Sequence, residues 1–414
     1  MKKIFYFILL LLIMSPIYSQ STVSIEECQQ WAVALSSANV QKELNEQLLK
    51  VKINDASSHF YPCLEIIGTA SYISAMPQLP EGDMISKDQY RVGMELYQQL
   101  FDGGKVFYNR RYQRLMNKND INKIDLAINK LKEQMISLYL NLLIVEQQNK
   151  IFSNLEKTID DQLRQLRIML KEGVVYNSTV AQLEVELLKI QQQKGELLAQ
   201  KNSLSSSLSI LTGKDLANAE FTIPTVDDDP SKSESCRLEY AIFKNEIAGL
   251  EFQRKLYYAN TFPQLSLVGL GGYGRTTFDI FNNDFNWFYF VGITMRVPVI
   301  NWARTAGVGN IIRLQKSILE AQQSDFEKSN QIEIQEKLNE INRIEDLLTL
   351  DNQITQKYND LTATYRIQLL NGTITIYDFI RQQNDEIQSL INKEVHTIQL
   401  LKAKYELKAL KGNL

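Results

Sequence analysis

The sequence has few of the residues from which catalytic and metal sites are built. Among 414 residues it contains two histidines, His59 and His396, and three cysteines. The histidines are far apart and have no cysteine or acidic neighbours at metal-ligand spacing, and no nucleophile lies beside a base. The sequence therefore predicts no catalytic residue, no metal site and no cofactor, and it argues against an enzyme.

A hydrophobic run long enough to span a bilayer is also missing. The longest run, residues 4–14, has 11 residues, whereas a spanning helix needs about 20. It follows Lys2 and Lys3 and ends before a proline and a small residue. This pattern predicts a signal peptide over residues 1–19, cleaved before Gln20. Cleavage removes two positive charges and changes the formal charge from −3 to −5, which argues against a nucleic-acid partner.

An odd number of cysteines in an exported chain leaves at least one of them unpaired within that chain. Cys28 and Cys236 are candidates for a disulfide, although their spacing alone does not decide it. Cys63 stands at the start of a predicted strand, where it serves as a small apolar residue.

Two stretches lack both glycine and proline, the strongest helix breakers. They run from Lys105 to Glu172 and from Asn310 to Asn371, and they predict two very long helices. At 1.5 Å per residue, a helix of this kind is about 100 Å long. Apolar residues recur along them at coiled-coil spacing. The three stripes are Ile124, Ile128, Leu131, Met135, Leu138, Leu142 and Val145; Leu155, Ile159, Leu163, Leu166 and Leu170; and Ile354, Tyr358, Leu361, Tyr365 and Leu369.

Each long helix is predicted to end at a glycine turn and to be followed by a return helix. Gly173 and Gly372 suit the left-handed position after a helix end. Two threonines have the spacing of capping boxes that open the return helices: Thr179 with Gln182, and Thr375 with Asp378. Shorter helices are expected over residues 24–57 and 238–258.

Four strands of about ten residues are also predicted, over residues 64–74, 90–100, 264–274 and 287–297. This is the length that a tilted membrane strand needs. Aromatic residues gather near the strand ends, as in interfacial girdles. They are Tyr61, Tyr72, Tyr90, Tyr97, Tyr273, Trp287, Tyr289 and Trp302. The GLGGYG segment among them fits a nucleotide-binding pattern but precedes a loop rather than a helix, so that interpretation is rejected.

Four strands cannot close a barrel, and an open sheet edge in lipid leaves backbone groups without hydrogen-bond partners. The chain is therefore expected to share a barrel with copies of itself. Two chains would supply eight strands and a filled interior, and three would supply twelve and a channel.

The chain also repeats itself. YPCLEIIGTASY (Tyr61–Tyr72) aligns with FPQLSLVGLGGY (Phe262–Tyr273) at an offset of 201, and Gly173 aligns with Gly372 at an offset of 199. Together with the predicted signal peptide at 1–19, this alignment predicts a first repeat at 20–212, a connector at 213–235 and a second repeat at 236–414.

In this order of elements the chain resembles the TolC family of outer-membrane efflux proteins. The resemblance rests on LFDGGK (Leu100–Lys105), PVINWARTAG (Pro298–Gly307), and the EGVV and NGTIT turns. It implies a mainly helical fold with a membrane β-barrel portion: long coiled-coil hairpins and four barrel strands per chain, and a homotrimer with a 12-stranded β-barrel and a 12-helix α-barrel. It further implies a passive exit duct for efflux or type I secretion in Gram-negative bacteria. The duct would stand in outer-membrane lipid, extend into the periplasm, and open when a periplasmic adaptor (a membrane fusion protein) and an inner-membrane pump dock.

The resemblance also implies site residues. Asp378 matches an acidic ring at the tunnel constriction, although it equally suits the Thr375 cap. Where the family often has a second acid this chain has Arg381, which puts strong cation selectivity in question and would allow a pair with Asp378. Thr179 falls at a position where a relative uses an acid to hold the tunnel closed, and Leu369 and Ile374 replace its tyrosine and arginine. Closure is therefore expected to depend more on packing than on salt bridges. The constriction set is Asp378, Arg381, Thr375 and Thr179, and the adaptor-docking set is Gly173, Val174, Gly372 and Thr373.

A periplasmic coiled-coil adaptor or scaffold without a pore is the alternative function. The four strands flanked by aromatic residues distinguish the two, because an adaptor has no need of strands in lipid.

Overall fold

A computed structural model describes residues 22–75, 86–225, 236–275, 278, 284–299 and 302–413, with the backbone alone at 302–305. The predicted signal peptide lies outside the described residues, as do residues 226–235 of the predicted connector and parts of both strand-connecting loops.

The chain is mostly helical. Its helices are α1 (Ile25–Leu35), α2 (Ala38–Ser58), α3 (Lys105–Lys171), α4 (Asn177–Thr212), α5 (Leu238–Tyr258), α6 (Trp302–Leu370) and α7 (Ile376–Leu410). The two very long helices are confirmed, at 67 residues for α3 and 69 for α6. Among the described residues, no helix combines the length and the apolar character that crossing a membrane requires.

The single helix predicted over residues 24–57 is wrong, because two helices occupy this stretch. Ser36 adopts an extended conformation at the end of α1, with φ −63° and ψ 148°. Its hydroxyl donates to the Val33 carbonyl oxygen at 2.7 Å. Serine side chains compete in this way with helical backbone bonds. The break therefore occurs without the glycine or proline that would reveal it in the sequence.

Within the described residues, six strands form two sheets. A short parallel pair joins β1 (Thr22–Val23) to β4 (Glu220–Phe221). The larger sheet contains β2 (Cys63–Tyr72), β3 (Asp88–Phe101), β5 (Gln264–Arg275) and β6 (Asn286–Arg296). Its order is β2-β3-β5-β6, and every neighbouring pair is antiparallel. The four predicted strands are confirmed within two residues at each end, and β3 with β5 joins the two halves of the chain.

The register separates this sheet into two chemically different faces. Side chains of one face alternate with those of the other, and cross-strand partners share a face. One face is apolar over most of its area, with Leu64, Ile66, Val92, Met94, Leu96, Leu267, Tyr273, Trp287, Tyr289, Val291, Ile293 and Met295. The other face mixes apolar residues with Glu65, Thr69, Arg91, Glu95, Tyr97, Ser266 and Thr294. The seven predicted girdle aromatics whose side chains are described are all exposed.

The outer edges of the sheet are unpaired in the described part of the chain. β2 pairs with β3 and β6 pairs with β5, and neither has a second neighbour there. Unpaired edge strands offer a row of backbone donors and acceptors to another chain.

The described residues form two compact units. One is built mainly from Leu126–Arg237 and Lys328–Leu414, and the other from Val40–Asp125 and Leu238–Glu327. The turns between long and return helices belong to the first unit, and the four-stranded sheet belongs to the second.

Tyr139 of α3 organises the core of the first unit. Its side chain is fully buried, and its hydroxyl lies 2.8 Å from the Val23 carbonyl oxygen and 2.7 Å from that of Thr222. The ring packs edge-on against Phe221 at 5.4 Å. Burial raises the pKa of Tyr139 to about 12. The small parallel pair is thus attached to the long helix through one side chain.

Two of the three predicted apolar stripes are buried or half-buried throughout, and they pack in the core. The third is wrong in part, because Ile354 and Leu361 are each 45% exposed. The packed seam of α6 follows a 4,3 spacing through polar positions instead. It consists of Ile344, Leu348, Asp351, Thr355, Tyr358, Thr362, Tyr365 and Leu369. A search for apolar spacing cannot find a seam whose middle is polar.

All three cysteines are free. Cys28 is buried in the core around Tyr139, and burial raises the pKa of its thiol to about 12, so it stays protonated and inert. Cys63 and Cys236 are exposed.

Removing the Tyr139 hydroxyl tests this anchor. Tyr139→Phe removes a buried hydroxyl that donates to the Val23 or the Thr222 carbonyl oxygen, while the Val23 carbonyl keeps the Thr222 amide as a donor at 3.2 Å, so we expect a loss of about 1 kcal/mol in the free energy of unfolding. Tyr176→Phe is the matched control, since Tyr176 is 82% exposed, and its effect should stay within about 0.5 kcal/mol. Urea unfolding followed by far-ultraviolet circular dichroism measures both. Equal effects would show that the hydroxyl does not anchor the strands.

Candidate functional site

The candidate site lies at the two turns that join each long helix to its return helix. After α3, the Gly173 amide donates to the Leu170 carbonyl at 3.1 Å and the Val174 amide donates to that of Met169 at 2.9 Å. After α6, the Gly372 and Thr373 amides make the corresponding bonds to Leu369 and Gln368, both at 3.0 Å. Both turns are Schellman motifs, so each helix end satisfies its last carbonyl groups in the same way.

The turn glycines are required by backbone conformation rather than by lack of space. Gly173 has φ +74° and Gly372 has φ +70°, as predicted from the sequence, and a Cβ atom at either would meet nothing within 4 Å. Both turns are exposed, including the Val174 side chain at 62%. The adaptor-docking residues therefore lie on open, rigid turns, and their contact with an adaptor stays a prediction.

The capping box at the start of α7 is present. The Asp378 amide donates to the Thr375 hydroxyl at 3.2 Å, the Thr375 amide donates to Asp378 Oδ2 at 3.2 Å, and the hydroxyl lies 2.6 Å from Oδ2. Hydrogen bonds from the Thr375 side chain and backbone, with a weaker attraction from Arg381, lower the pKa of Asp378 below its ordinary 3.8. No ion pair joins Asp378 to Arg381 in this part of the described chain.

The capping box predicted for Thr179 and Gln182 is wrong. α4 begins at Asn177, and its cap is Tyr176, which is extended (φ −85°, ψ 155°) and makes no side-chain capping bond. Thr179 lies inside the first turn, where its amide donates to the Tyr176 carbonyl at 3.0 Å. The offset of 199 that aligns Gly173 with Gly372 also aligns Tyr176 with Thr375. That alignment was a signal for the correct cap.

An apolar core lies beneath both turns. It includes Leu166, Leu183 and Ile376, and it is centred on the fully buried Phe379. Leu369 and Ile374, which replace polar residues of the relative, pack against this core. The contacts between the two helical hairpins of one chain at this end are thus largely apolar.

The constriction residues are distributed over different surfaces of this core. Thr179 lines a cleft of about 330 Å³ together with Arg366 and Phe379. Arg381 lines a separate cleft of about 510 Å³, which also holds Glu186 and Asp385. Asp378 lines neither of these two clefts.

One polar contact between the return helices was missed by sequence reasoning. Glu186 of α4 is buried, and its carboxylate accepts from Asn384 of α7 at 3.1 Å and from Lys189 at 3.2 Å. Glu186 and Asn384 are 198 positions apart, close to the repeat offset, so their contact lies where the two halves face each other. A buried carboxylate with two donors ties the return helices together.

Comparison with known proteins supports the fold. No protein-family model matches the chain, and no curated protein matches it. Solved structures do match. The Campylobacter jejuni CmeC outer membrane channel has 13% identity and a TM-score of 0.69, with 94% of this chain and 85% of that chain covered. The Vibrio cholerae outer membrane protein VceC has 13% identity and a TM-score of 0.70, with 93% and 94% covered. The open state of the Neisseria gonorrhoeae MtrE outer membrane channel has 13% identity and a TM-score of 0.62, with 94% and 89% covered. These likenesses confirm the TolC-like fold of the single chain, and its assembly into a trimeric barrel stays a prediction.

The two threonines give a matched test of the cap. Thr375→Ala removes the cap of α7 and should cost about 1 kcal/mol at neutral pH, whereas Thr179→Ala removes no cap and should cost much less. Because the folded pKa of Asp378 is lowered, its contribution is present above pH 3.8 and is lost as the pH falls through the folded value. The Thr375→Ala deficit should therefore shrink in acid. Urea unfolding at neutral and acidic pH measures this, and equal losses for the two variants would contradict the assignment.

Proposed function

We propose that this chain, which has the TolC-like fold of outer-membrane factor channels, forms the outer-membrane exit duct of a tripartite efflux or type I secretion system. Three copies complete a 12-stranded barrel in lipid and a 12-helix tunnel in the periplasm. The duct is passive and not an enzyme, and it opens when an adaptor and an inner-membrane pump engage the turns. The observation that carries the proposal is the four-stranded sheet with one apolar face and two unpaired edges.

Strand directions favour closure by copies of the same chain. The order β2-β3-β5-β6 alternates in direction, so β6 of one copy and β2 of the next also run antiparallel. Any number of copies therefore continues the same pattern without a parallel joint. In lipid the backbone donors and acceptors of the unpaired edge strands need partners from protein. A closed barrel supplies a partner for every one of them.

The two faces suit the two environments of a barrel. The apolar face carries Ile66, Val291 and Ile293, which are 65–75% exposed in the single chain and have lipid as a favourable solvent. The mixed face carries Glu65, Arg91 and Glu95, whose charges need water. Lipid outside and an aqueous lumen inside satisfy both.

The helices also carry surface that a single chain leaves uncovered. Val40, Leu44, Leu48 and Val51 of α2 follow a 4,4,3 spacing on one face and are 47–63% exposed. A stripe of this kind packs against a neighbouring helix in a coiled coil. Copies of this chain would cover it, as the helical tunnel requires.

The capping role of Asp378 leaves it free to act at the constriction. Thr375 uses only Oδ2 of the carboxylate, and the side chain is exposed. Oδ1 accepts no hydrogen bond from the described residues. In a trimer, three such oxygens around the axis would attract cations. Arg381, Thr375 and Thr179 complete the proposed constriction set, with Thr179 and Arg381 in separate clefts of the single chain.

Disulfide trapping across the proposed joint tests the assembly. Cys63 is retained on β2, Cys28 and Cys236 become serine, and one cysteine at a time is introduced on the mixed face of β6 as Phe288→Cys, Phe290→Cys, Gly292→Cys, Thr294→Cys or Arg296→Cys. We expect one or two neighbouring positions to give, in membranes under mild oxidation, a ladder that ends at three chains on denaturing gels.

A ladder that ends at two chains would contradict the trimer, and no cross-link at any position would contradict the shared barrel. If the protein is also extracted without detergent, it is a periplasmic adaptor or scaffold instead. Ser266→Cys with Thr294→Cys in a background without Cys63 is the control, because these residues pair within one chain and give no ladder.

The acidic ring is tested by conductance. In planar bilayers under a salt gradient, Asp378→Asn should move the reversal potential toward zero, because it removes the charge that favours cations. Asp385→Asn, an exposed acid two turns along α7, is the control and should change it little. Unchanged selectivity in Asp378→Asn would show that this residue caps α7 and does not set the ion selectivity.

A further inference from the structure

A cleft of basic and aromatic residues lies where the helices meet the sheet. It has a volume of about 380 Å³ and is lined by Tyr108, Arg254, Lys255, Tyr258 and Phe262. All five belong to the second compact unit. The lining has two cations and no acid. Tyr258 and Phe262 are 38% and 53% exposed, so the cleft opens to its surroundings.

The local chain geometry builds this cleft. α5 ends at Tyr258, a 3₁₀ turn spans Ala259–Thr261, and β5 begins at Gln264. Gly103, with φ +73°, lies so close to this turn that a Cβ atom would be 2.4 Å from the Ala259 carbonyl oxygen and 3.0 Å from Phe262 Cβ. The LFDGGK turn therefore holds Phe262 in place, and Tyr108 follows one turn into α3.

The charges here are opposite to those of the whole chain. The first 14 residues of α3, Lys105–Lys118, carry five cations and no acid, in a chain whose formal charge is −3. Lys105 lies in the first turn of α3, where the helix dipole disfavours a cation. The five are Lys105, Arg110, Arg111, Arg114 and Lys118, and none forms an ion pair with a residue that the structure describes. An anion from outside the protomer would balance them.

The distance of the cleft from the apolar face of the sheet indicates which kind of anion it binds. Phe262 precedes Leu265, on the apolar face, by three residues, or about 10 Å of extended chain. Aromatic and basic side chains at the end of an apolar band are typical of the headgroup region, and basic clusters there attract anionic lipids. A phosphate in the cleft would leave acyl chains beside the apolar face.

We propose that the cleft lined by Tyr108, Arg254, Lys255, Tyr258 and Phe262 binds the phosphate headgroup of an anionic phospholipid of the leaflet that faces the periplasm. Arg254 and Lys255 bind the phosphate, and the three aromatic side chains hold the glycerol region. Arg111 and Arg114 of α3 add electrostatic attraction for further headgroups. This site rests on the proposed function, since it requires the sheet to stand in a membrane.

Lipid binding to the detergent-purified trimer tests the site. Native mass spectrometry is used with phosphatidylglycerol and, at the same concentration, phosphatidylcholine. We expect the wild type to prefer phosphatidylglycerol, and Arg254→Gln with Lys255→Gln to weaken that binding about tenfold. The control is Arg164→Gln with Lys171→Gln, which makes the same charge change. Arg164 has an i,i+3 acid, Asp161, as Arg254 has Glu251. This control should bind as the wild type does.

Each other outcome would overturn the site. Equal binding of the two lipids by the wild type would contradict the proposed lipid site. Equal losses of phosphatidylglycerol binding in both double variants would contradict it as well. Displacement of phosphatidylglycerol by millimolar inorganic phosphate (about 10 mM is the scale at which weak anion sites fill) would show a free-anion site instead. Because the measurement uses a trimer already identified by cross-linking, failure here leaves the duct proposal standing. Failure to obtain a trimer counts against the duct itself.

Discussion

The structure depends on a shortage of hydrogen-bond partners at two strand edges. β2 and β6 each use one side of their backbone in the described chain, and one face of their sheet is apolar. Water can satisfy such edges, but the apolar face is unfavourable in water, while lipid suits the face and cannot satisfy the edges. Closure through further copies resolves both conditions. The exposed stripe of α2 is a second surface with the same requirement.

Charge is distributed according to these environments. Cations gather where α3 and α5 meet the strands, and acids and two arginines share the mixed face of the sheet. At the turns between the long and the return helices, Asp378 is the acid held by its own cap, while the contacts beneath it are apolar. Glu186 shows the other arrangement, because it is buried and two donors from its surroundings satisfy it. A carboxylate therefore serves as an exposed charge at Asp378 and as a tie between helices at Glu186.

Much of the fold was predictable because it depends on periodicity and helix breakers. The absence of glycine and proline located α3 and α6, and segments of about ten residues with aromatic residues near their ends located the strands. Two of the three failures share a cause, since polar side chains acted where apolar patterns were sought, and in the third a helix begins without the side-chain cap that was expected. Ser36 breaks a helix, Asp351 and Thr355 occupy a packed seam, and Tyr176 takes a cap position that Thr179 was expected to hold. At the candidate site, the turn glycines and the Thr375 cap were found, but the contact of Glu186 with Asn384 needed the fold.

The pairing of β3 with β5 has a consequence for the order in which the protein matures. It joins Tyr90 to Arg275, which are 185 positions apart, and closing a loop of that length costs about 5 kcal/mol of chain entropy. The β2–β3 hairpin emerges long before its partner is synthesised, so it waits with its apolar side chains exposed to solvent. Sheet completion is consequently a late event, because it cannot occur before the chain has been synthesised through β6, which ends at Arg296. A chain truncated before Gln264 would lack β5 and β6, and its β3 would be left with β2 as its one partner.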